Sequence, residues 1–159
     1  DKIANDKFRN HKYVVFTFDD GNASLKEILP WLEEQKIPTT LFINGKYLDG
    51  KSYRKNPKEK YLTYEELFAM TSPLVEIGSH GWEHIRATEQ SEKEFEESVK
   101  MNIAVLEKHP RYIPYHAYTY GCHNERYDEI LNIQNLVPVL IEGNKNYHDA
   151  KCIHRELLN

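Results

Sequence analysis

The chain alternates short apolar segments with amphipathic ones, and this alternation limits the possible folds more than any other feature of the sequence. The apolar segments are rich in β-branched and aromatic residues, which are typical of buried strands. The segments between them repeat apolar residues at helical spacing, which predicts helices with one buried face. Alternating strands and helices favour a mainly parallel sheet with right-handed crossovers.

The predicted strands are Tyr13–Phe18, Thr39–Ile43, Leu74–Gly78, Tyr112–Tyr120 and Leu136–Ile141, and a closing segment covers Cys152–Leu158. A serine or threonine followed three residues later by glutamate is a capping-box signature. It predicts helix starts at Ser24, Thr63 and Ser91, and a further helix is expected over Glu125–Ile133.

Several segments should interrupt this pattern. Pro30 should kink the first helix or confine it to short turns, and Pro138 is unfavourable inside a strand. Residues 45–62 and Gly143–Lys151 are polar and are expected to form surface loops. His109 is expected on the surface.

A complete barrel of eight strand–helix units takes roughly 250 residues, whereas this chain has 159. We therefore expect an α/β fold in the form of an incomplete or distorted (β/α) barrel with a mainly parallel sheet. Hydrophobic residues make up 40% of the chain, enough for one core. Residues 1–159 are accordingly expected to form a single domain.

Charge and hydropathy exclude some function classes. The formal net charge is -4 and no basic block stands out, so nucleic acid is not an expected partner. The longest apolar runs are far shorter than the roughly 20 residues that cross a bilayer, so no transmembrane segment is expected. The two cysteines, Cys122 and Cys152, form no Cys-x-x-Cys pair and do not identify the compartment.

Polar residues of types that bind metals or act in catalysis follow three of the predicted strands. Asp19 and Asp20 end the first strand, His80 ends the third with His84 just beyond, and Tyr120 ends the fourth. In parallel α/β folds, ligands bind at the carboxyl ends of the strands, so these side chains should meet on one rim.

Two imidazoles and a carboxylate suggest a metal site on this rim. Such a set suits Zn²⁺ and leaves a position open for water or substrate, although Co²⁺, Ni²⁺ and Fe²⁺ also fit it. A second carboxylate nearby can then remove a proton from the water. Spacing alone does not tell the roles of Asp19 and Asp20 apart, and both can face the metal only if the chain turns there, as Gly21 permits.

These motifs resemble those of the polysaccharide deacetylases, the family with the NodB homology domain that forms carbohydrate esterase family four. Thr17-Phe18-Asp19-Asp20-Gly21 is similar to the family's first motif, and Ser79-His80-Gly81-Trp82-Glu83-His84 to its second. Residues 38–45 are similar to the strand between them. The resemblance implies that Asp19 is the general base and that Asp20, His80 and His84 bind the metal.

The third motif resembles the version in deacetylases of exported poly-N-acetylglucosamine. His116-Ala117-Tyr118-Thr119-Tyr120-Gly121 is similar to their Phe-Ala-Tyr-Pro-Tyr-Gly, with Thr119 in place of the usual proline. The resemblance implies that the backbone N–H of Tyr120 holds the oxyanion. Arg111 with Pro114-Tyr115 offers a competing match to an Arg-x-x-Pro-Tyr form of the same motif.

The last two motifs match less well. The fourth, an Asp-x-x-Asp-Trp type, has no counterpart, which leaves the partner of Asp19 open. Ile153-His154 stands where the family has Leu-x-His, so His154 is the expected general acid. Arg155, His123 and His148 remain alternatives.

The resemblance implies a metal-dependent hydrolase that removes N-acetyl groups from carbohydrate, releasing acetate and a free amine. The expected partner is an N-acetylated oligo- or polysaccharide. Two alternatives stay open: hydrolysis of another small amide or cyclic imide on the same scaffold, and a non-catalytic carbohydrate-binding protein, which the missing fourth motif would suit.

Overall fold

The computed structural model of the chain describes residues 14–51, 59–141 and 153–155, and six strands within them form one sheet. The strands are β1 (Phe16–Phe18), β2 (Thr39–Ile43), β3 (Val75–Ser79), β4 (Tyr112–Ala117), β5 (Val137–Ile141) and β6 (Ile153–Arg155). They lie in sequence order, and every neighbouring pair is parallel. The sheet curls into an incomplete α/β barrel, which confirms the predicted fold class.

Within the described residues, four helices lie between successive strands from β1 to β5: α1 (Leu25–Glu34), α2 (Tyr64–Phe68), α3 (Glu92–Leu106) and α4 (Glu125–Ile133). Short 3₁₀ turns follow β2, precede α3 and follow β4, at Gly45–Tyr47, Ala87–Glu89 and Thr119–Gly121. Among the residues that the structure describes, no helix has the length and apolar character required to cross a membrane.

Two of the three predicted capping boxes are present. The side chains of Thr63 and Ser91 accept hydrogen bonds from backbone N–H groups three residues on, and the glutamates there bond back. The helix start predicted at Ser24 is confirmed, but the predicted capping box is absent there, because the Ser24 side chain makes no capping hydrogen bond. Its own N–H instead donates to Asn22 Oδ1 at 2.9 Å, since the chain enters α1 through a turn that begins at Asn22.

Pro30 does not interrupt α1, contrary to the prediction. The helix runs continuously from Leu25 to Glu34, with Pro30 on its exposed side. Proline lacks the N–H that would bond to the carbonyl of Lys26, but a carbonyl on this side can be hydrated instead. The opposite face buries Leu29 and Leu32, and this burial stabilises the helix despite the missing bond.

The later strands form close to their predicted places. Strand β5 forms with Pro138 inside it, opposite His116 of β4. Strand β4 ends at Ala117, before the predicted end at Tyr120, because the chain turns into the 3₁₀ turn at Thr119–Gly121. The predicted loop Gly143–Lys151 lies outside the described residues.

The sheet is packed on both faces. One apolar cluster joins α1 and α2 to the first strands, and a second joins α3 and α4 to Leu136 and Leu140. A third cluster contains Phe42, Ala117 and Val139. This packing holds the carboxyl ends of the strands in a fixed arrangement.

His109 is buried, so its predicted surface position was wrong. Only 3% of the residue is exposed, and its Nε2 lies 3.1 Å from the carbonyl oxygen of Leu67. Phe68 contacts the imidazole ring edge-on. His109, three residues beyond the end of α3, is therefore part of the contact between α2 and the chain leading to β4.

The edge strands β1 and β6 are connected through a side chain. Arg155 of β6 donates to Thr17 Oγ1 of β1 at 3.0 Å, and it also reaches Asp19, just after β1. Its guanidinium lies 5.3 Å from the ring centre of Phe42 on β2. The two edges of the incomplete barrel are thus joined beside the predicted catalytic residues.

Candidate metal centre and active site

Asp20, His80 and His84 converge at the carboxyl ends of β1 and β3. Asp20 Oδ1 lies 3.4 Å from His80 Nε2 and 3.0 Å from His84 Nε2. The three ligand atoms all lie within 4.8 Å of one another. Only 2% of the His80 side chain is exposed, whereas the other two are partly open to solvent. The structure thus brings together the three residues predicted to bind a metal.

The chain turns sharply at Asp20 to make this convergence possible. Asp20 has a φ of 72° and Gly21 a φ of 78°, so both adopt the left-handed conformation. Aspartate tolerates this conformation better than most residues with a side chain. The sequence suggested a turn at Gly21, and in the structure the turn begins one residue earlier, at Asp20. It lets Asp19 and Asp20 face the same side.

Neighbouring strands hold His80 in place. Its N–H donates to the carbonyl of Ile43 at 2.9 Å, and its Nδ1 lies 2.8 Å from the carbonyl of Ala117. Its own carbonyl accepts from Asn44 Nδ2 at 2.6 Å and from Thr119 Oγ1 at 3.2 Å. Because a carbonyl can only accept, Nδ1 carries the proton, and the neutral ring keeps a lone pair on Nε2 for a metal.

The charges of this cluster suit a bound cation. Burial opposes ionisation of Asp20, but hydrogen bonds from His80 and His84 outweigh it and hold the pKa of Asp20 well below its usual range. Burial likewise opposes a charge on His80, yet its hydrogen bond to Asp20 and the charges of Asp19 and Asp20 raise its pKa. The donor set therefore favours a positive charge between its members, which a divalent metal can supply in place of protons.

Asp19 has different partners from Asp20. Arg155 donates to both of its carboxylate oxygens, from Nη1 to Oδ1 at 2.6 Å and from Nη2 to Oδ2 at 2.5 Å. Asp19 Oδ2 lies 3.7 Å from His80 Nε2, beside the ligand cluster. The sequence left the partner of Asp19 open and offered Arg155 only as an alternative to His154. The bidentate contact identifies Arg155 as that partner.

Tyr120 lies at the rim of the cluster. Its ring centre is 4.6 Å from that of His84, edge to face, and the guanidinium of Arg86 lies 4.3 Å from the centre of the same ring. Tyr120 has a φ of 58° and Gly121 a φ of 67°, a second left-handed pair at a strand end. The hydroxyl of Tyr47 accepts from the backbone N–H of His84 at 3.4 Å. The sequence did not single out Arg86 or Tyr47.

The competing match to the third motif lies at the wrong end of the sheet. Arg111 precedes β4 and donates to the carbonyls of Val75 and Pro73, at the amino end of β3. The metal cluster lies at the carboxyl end, where Tyr120 follows β4. The position of Tyr120 therefore favours it over Tyr115 as the tyrosine of this motif.

The candidate proton donors are described unequally. His154 pairs with Leu140 through the backbone of β6, but its side chain lies outside the described part of the chain. His148 also lies outside it. His123 is exposed, and its Nδ1 lies 3.2 Å from Asp128 Oδ2. The role of His154 stays a prediction.

Comparisons with known proteins agree with this geometry. A family model described as polysaccharide deacetylase matches residues 6–139, which is most of the chain. No curated protein sequence matches the chain significantly.

Three solved structures resemble the fold. IcaB from Ammonifex degensii is 26% identical with a TM-score of 0.76, covering 96% of this chain and 71% of that protein. The BpsB deacetylase domain from Bordetella bronchiseptica is 20% identical with a TM-score of 0.73, covering 91% and 70%. A family 4 acetyl xylan esterase from Clostridium thermocellum, solved with a cobalt ion, is 20% identical with a TM-score of 0.62, covering 80% and 57%.

The motifs at the three strand ends resemble those of the same family. The family-model match extends over far more than half of the sequence, and the incomplete barrel is shared with the solved structures. The chain therefore belongs to the polysaccharide deacetylase family, whose members are hydrolases that remove acetyl groups from carbohydrate.

Proposed function

We propose that the chain hydrolyses the N-acetyl group of an amino sugar within an oligo- or polysaccharide, with Asp19 as base and Asp20, His80 and His84 as metal ligands. The observation that carries this proposal is the three-residue ligand cluster lying beside a carboxylate that a separate arginine holds. Membership of the polysaccharide deacetylase family supports the substrate class.

The ligand cluster fits one divalent metal. Two imidazoles and one carboxylate are a common catalytic zinc set, so Zn²⁺ is the proposed ion. Co²⁺, Ni²⁺ and Fe²⁺ suit the same donors, and the esterase from Clostridium thermocellum contains cobalt. A bound metal would polarise the acetamide carbonyl and lower the pKa of a nearby water toward about 7.

Asp19 is suited to take the proton from the attacking water. A carboxylate has about four lone-pair positions, and Arg155 uses one on each oxygen. The remaining positions can accept from water. Because the arginine fork fixes the plane of the carboxylate, Asp19 can remain oriented toward the reacting water through the cycle.

Two further residues complete the proposed chemistry. The backbone N–H of Tyr120 would donate to the oxyanion of the tetrahedral intermediate, a role that its place at the rim beside His84 supports. His154 would protonate the departing nitrogen, and His123 and His148 are rival donors.

The proposed reaction balances as a simple hydrolysis. The water oxygen bonds to the carbonyl carbon while Asp19 takes the proton. The carbon–nitrogen bond then breaks, and the nitrogen receives a proton from the general acid. The products are acetate and a sugar with a free amine.

The test combines metal analysis with acetate release. Purified protein should contain close to one divalent metal per chain, and it should release acetate from some members of a panel of N-acetylated glycans of different sugars and lengths. Matched glycans that carry only O-acetyl groups are the control for the bond that is cleaved. A metal-loaded protein that releases acetate from none of the N-acetylated glycans would contradict the proposal.

A further inference from the structure

We propose that Thr119 and His116 are positioning residues that fix the metal ligand His80 from strand β4 and the 3₁₀ turn that follows it. This inference rests on the proposed function, because it assigns them a role through that ligand. Both positions depart from the similar Phe-Ala-Tyr-Pro-Tyr-Gly motif, in which phenylalanine and proline stand in their places. Neither of those residues has a side chain that can form a hydrogen bond.

Both departures make hydrogen bonds to consecutive residues of the second motif. Thr119 Oγ1 donates to the carbonyl of His80 at 3.2 Å. His116 Nδ1 lies 3.0 Å from Ser79 Oγ, the residue immediately before His80. One side chain of β4 and one of the turn after it therefore bond to two adjacent residues, Ser79 and His80, at the end of β3.

The direction of the Ser79–His116 hydrogen bond follows from the third member of this network. Asn102 Nδ2 donates to Ser79 Oγ at 2.9 Å, and Asn102 lies fully buried on α3. The serine hydroxyl is then left to donate its proton to His116 Nδ1. Burial lowers the pKa of His116 to about 3, which keeps the ring neutral and able to accept.

The opposite side of His80 is fixed by β2 and the residue that follows it. Ile43 accepts from the N–H of His80, and Asn44 Nδ2 donates to the carbonyl of His80 and, at 3.1 Å, to that of Gly81. The backbone of His80 is thus bonded from both sides. Thr119 supplies the side-chain contact from the turn after β4, so its loss should loosen the ligand on that side.

The magnitude of the effect follows from the usual role of groups that orient a metal ligand. Removing such a group commonly weakens metal binding by about 10- to 100-fold, because the ligand no longer stays in place between encounters with the ion. Thr119 bonds to the backbone of the ligand and shares the carbonyl with Asn44. We therefore expect the lower end of this range, about 10-fold.

The experiment compares two variants of the same residue. Thr119→Val keeps the shape and removes the donor, whereas Thr119→Ser keeps the donor. The dissociation constants for Zn²⁺ and Co²⁺ are measured by competition with a chelator. The visible absorption of the fully Co²⁺-loaded protein then reports ligand geometry at equal occupancy. Thr119→Val should bind about 10-fold more weakly with a changed spectrum, and Thr119→Ser should match the unsubstituted protein.

Thr39→Val is the matched control. Thr39 is also buried and its hydroxyl also donates to a carbonyl, that of Ile37 at 3.4 Å, but it lies at the amino end of β2. The control variant can lower the melting temperature, but it should leave the metal constants and the Co²⁺ spectrum unchanged. The inference would be overturned if a folded Thr119→Val protein had unchanged metal constants and an unchanged Co²⁺ spectrum. It would also be overturned if Thr39→Val changed both as much as Thr119→Val does.

His116→Phe provides a second route if Thr119→Val does not fold. It introduces the residue of the similar motif and removes the acceptor for Ser79, so it should also weaken metal binding and alter the Co²⁺ spectrum. A folded His116→Phe protein with unchanged metal binding would overturn the role of His116. If the unsubstituted protein binds no divalent metal, the proposed function itself fails, and the inference with it.

Discussion

The guanidinium of Arg155 donates to both carboxylate oxygens of Asp19, across the gap between the two edge strands of the sheet. The two residues are far apart in the sequence and meet only because the sheet curls. The side chain of Arg155 is 11% exposed and that of Asp19 is 27% exposed, so the pair is largely shielded from solvent. This pairing separates the role of Asp19 from that of Asp20, which lies against His80 and His84.

Replacing Arg155 should reduce turnover and spare the metal. Arg155→Lys keeps the charge but cannot donate two parallel hydrogen bonds to Asp19. A base that is misplaced by about 1 Å can cost about 100-fold in rate, so we expect the turnover number to fall by about 10- to 100-fold. Metal content after dialysis should stay near that of the unsubstituted protein, because Arg155 contacts none of the three ligands in the described hydrogen bonds.

The control for this prediction is Arg126→Lys. Arg126 lies on the exposed surface of α4, and its ion pair with Glu92 at 2.8 Å involves none of the metal ligands. It should leave turnover unchanged. An Arg155→Lys protein with native turnover would show that Asp19 does not depend on this contact.

Asp19→Asn should keep the metal and lose most of the activity. An amide of the same shape cannot accept the proton of the water, and removal of a general base costs about 10²–10⁴ in rate. Turnover and metal content of the same preparation provide the measurement. Native turnover with metal bound would place the base elsewhere, and loss of the metal would make Asp19 a ligand.

His80→Ala and His84→Ala should each deplete the metal. Each change removes one of three donors that lie within 4.8 Å of one another, so the remaining two should not retain a divalent ion through dialysis. Metal analysis of both variants is the measurement, and acetate release should be lost with the ion. Full metal content in both single variants would rule out this ligand set.

Much of the fold could be predicted because it depends on local patterns. The alternation of apolar and amphipathic segments predicts the parallel order of the sheet, and Thr39–Ile43 and Glu125–Ile133 have the same bounds in the structure as in the prediction. The errors at Ser24 and Pro30 arise where the surrounding structure, and not the local sequence pattern, determines the hydrogen bonding. Asn22 starts the turn into α1, and exposure of Pro30 makes its missing hydrogen bond tolerable.

The site was predictable where a motif lies within one segment. Asp20 and the two histidines follow strand ends, so parallel topology brings them together. The contact between Arg155 and Asp19 was not predictable, because it depends on how far the sheet curls and on which side of β6 faces inward. The left-handed turns at Asp20 and Tyr120 were only partly predictable, through the glycine that follows each residue.

His116 should make the stability of the protein depend on pH below neutrality. Its pKa falls from an ordinary value of about 6.5 to about 3 in the folded state. Between these values the unfolded chain takes up a proton that the folded chain does not, so stability is lost as the pH falls. The slope approaches about 1.4 kcal/mol per pH unit for one proton.

Urea unfolding of the metal-free protein at several pH values between 7 and 5 measures this slope. His116→Phe cannot bind the proton in either state, so its free energy of unfolding should fall less steeply with decreasing pH. The difference between the two slopes should approach one proton below about pH 6. Equal slopes would mean that folding does not lower the pKa of His116.

His154→Ala should lower turnover by about 10²–10⁴ and leave the metal content intact. The reaction requires a proton donor, because a nitrogen expelled without a proton would be too basic to leave. An imidazolium can donate near neutral pH. His154 lies in β6 next to Arg155, whose side chain reaches Asp19, so this strand already contributes to the site. The loss should shrink for substrates whose leaving groups need less protonation.

His123→Ala is the matched comparison, since His123 pairs with Asp128 and should affect turnover less. If turnover of His154→Ala is unchanged across such a substrate series, His154 is not the donor, and the same series with His123→Ala and His148→Ala would identify which rival is.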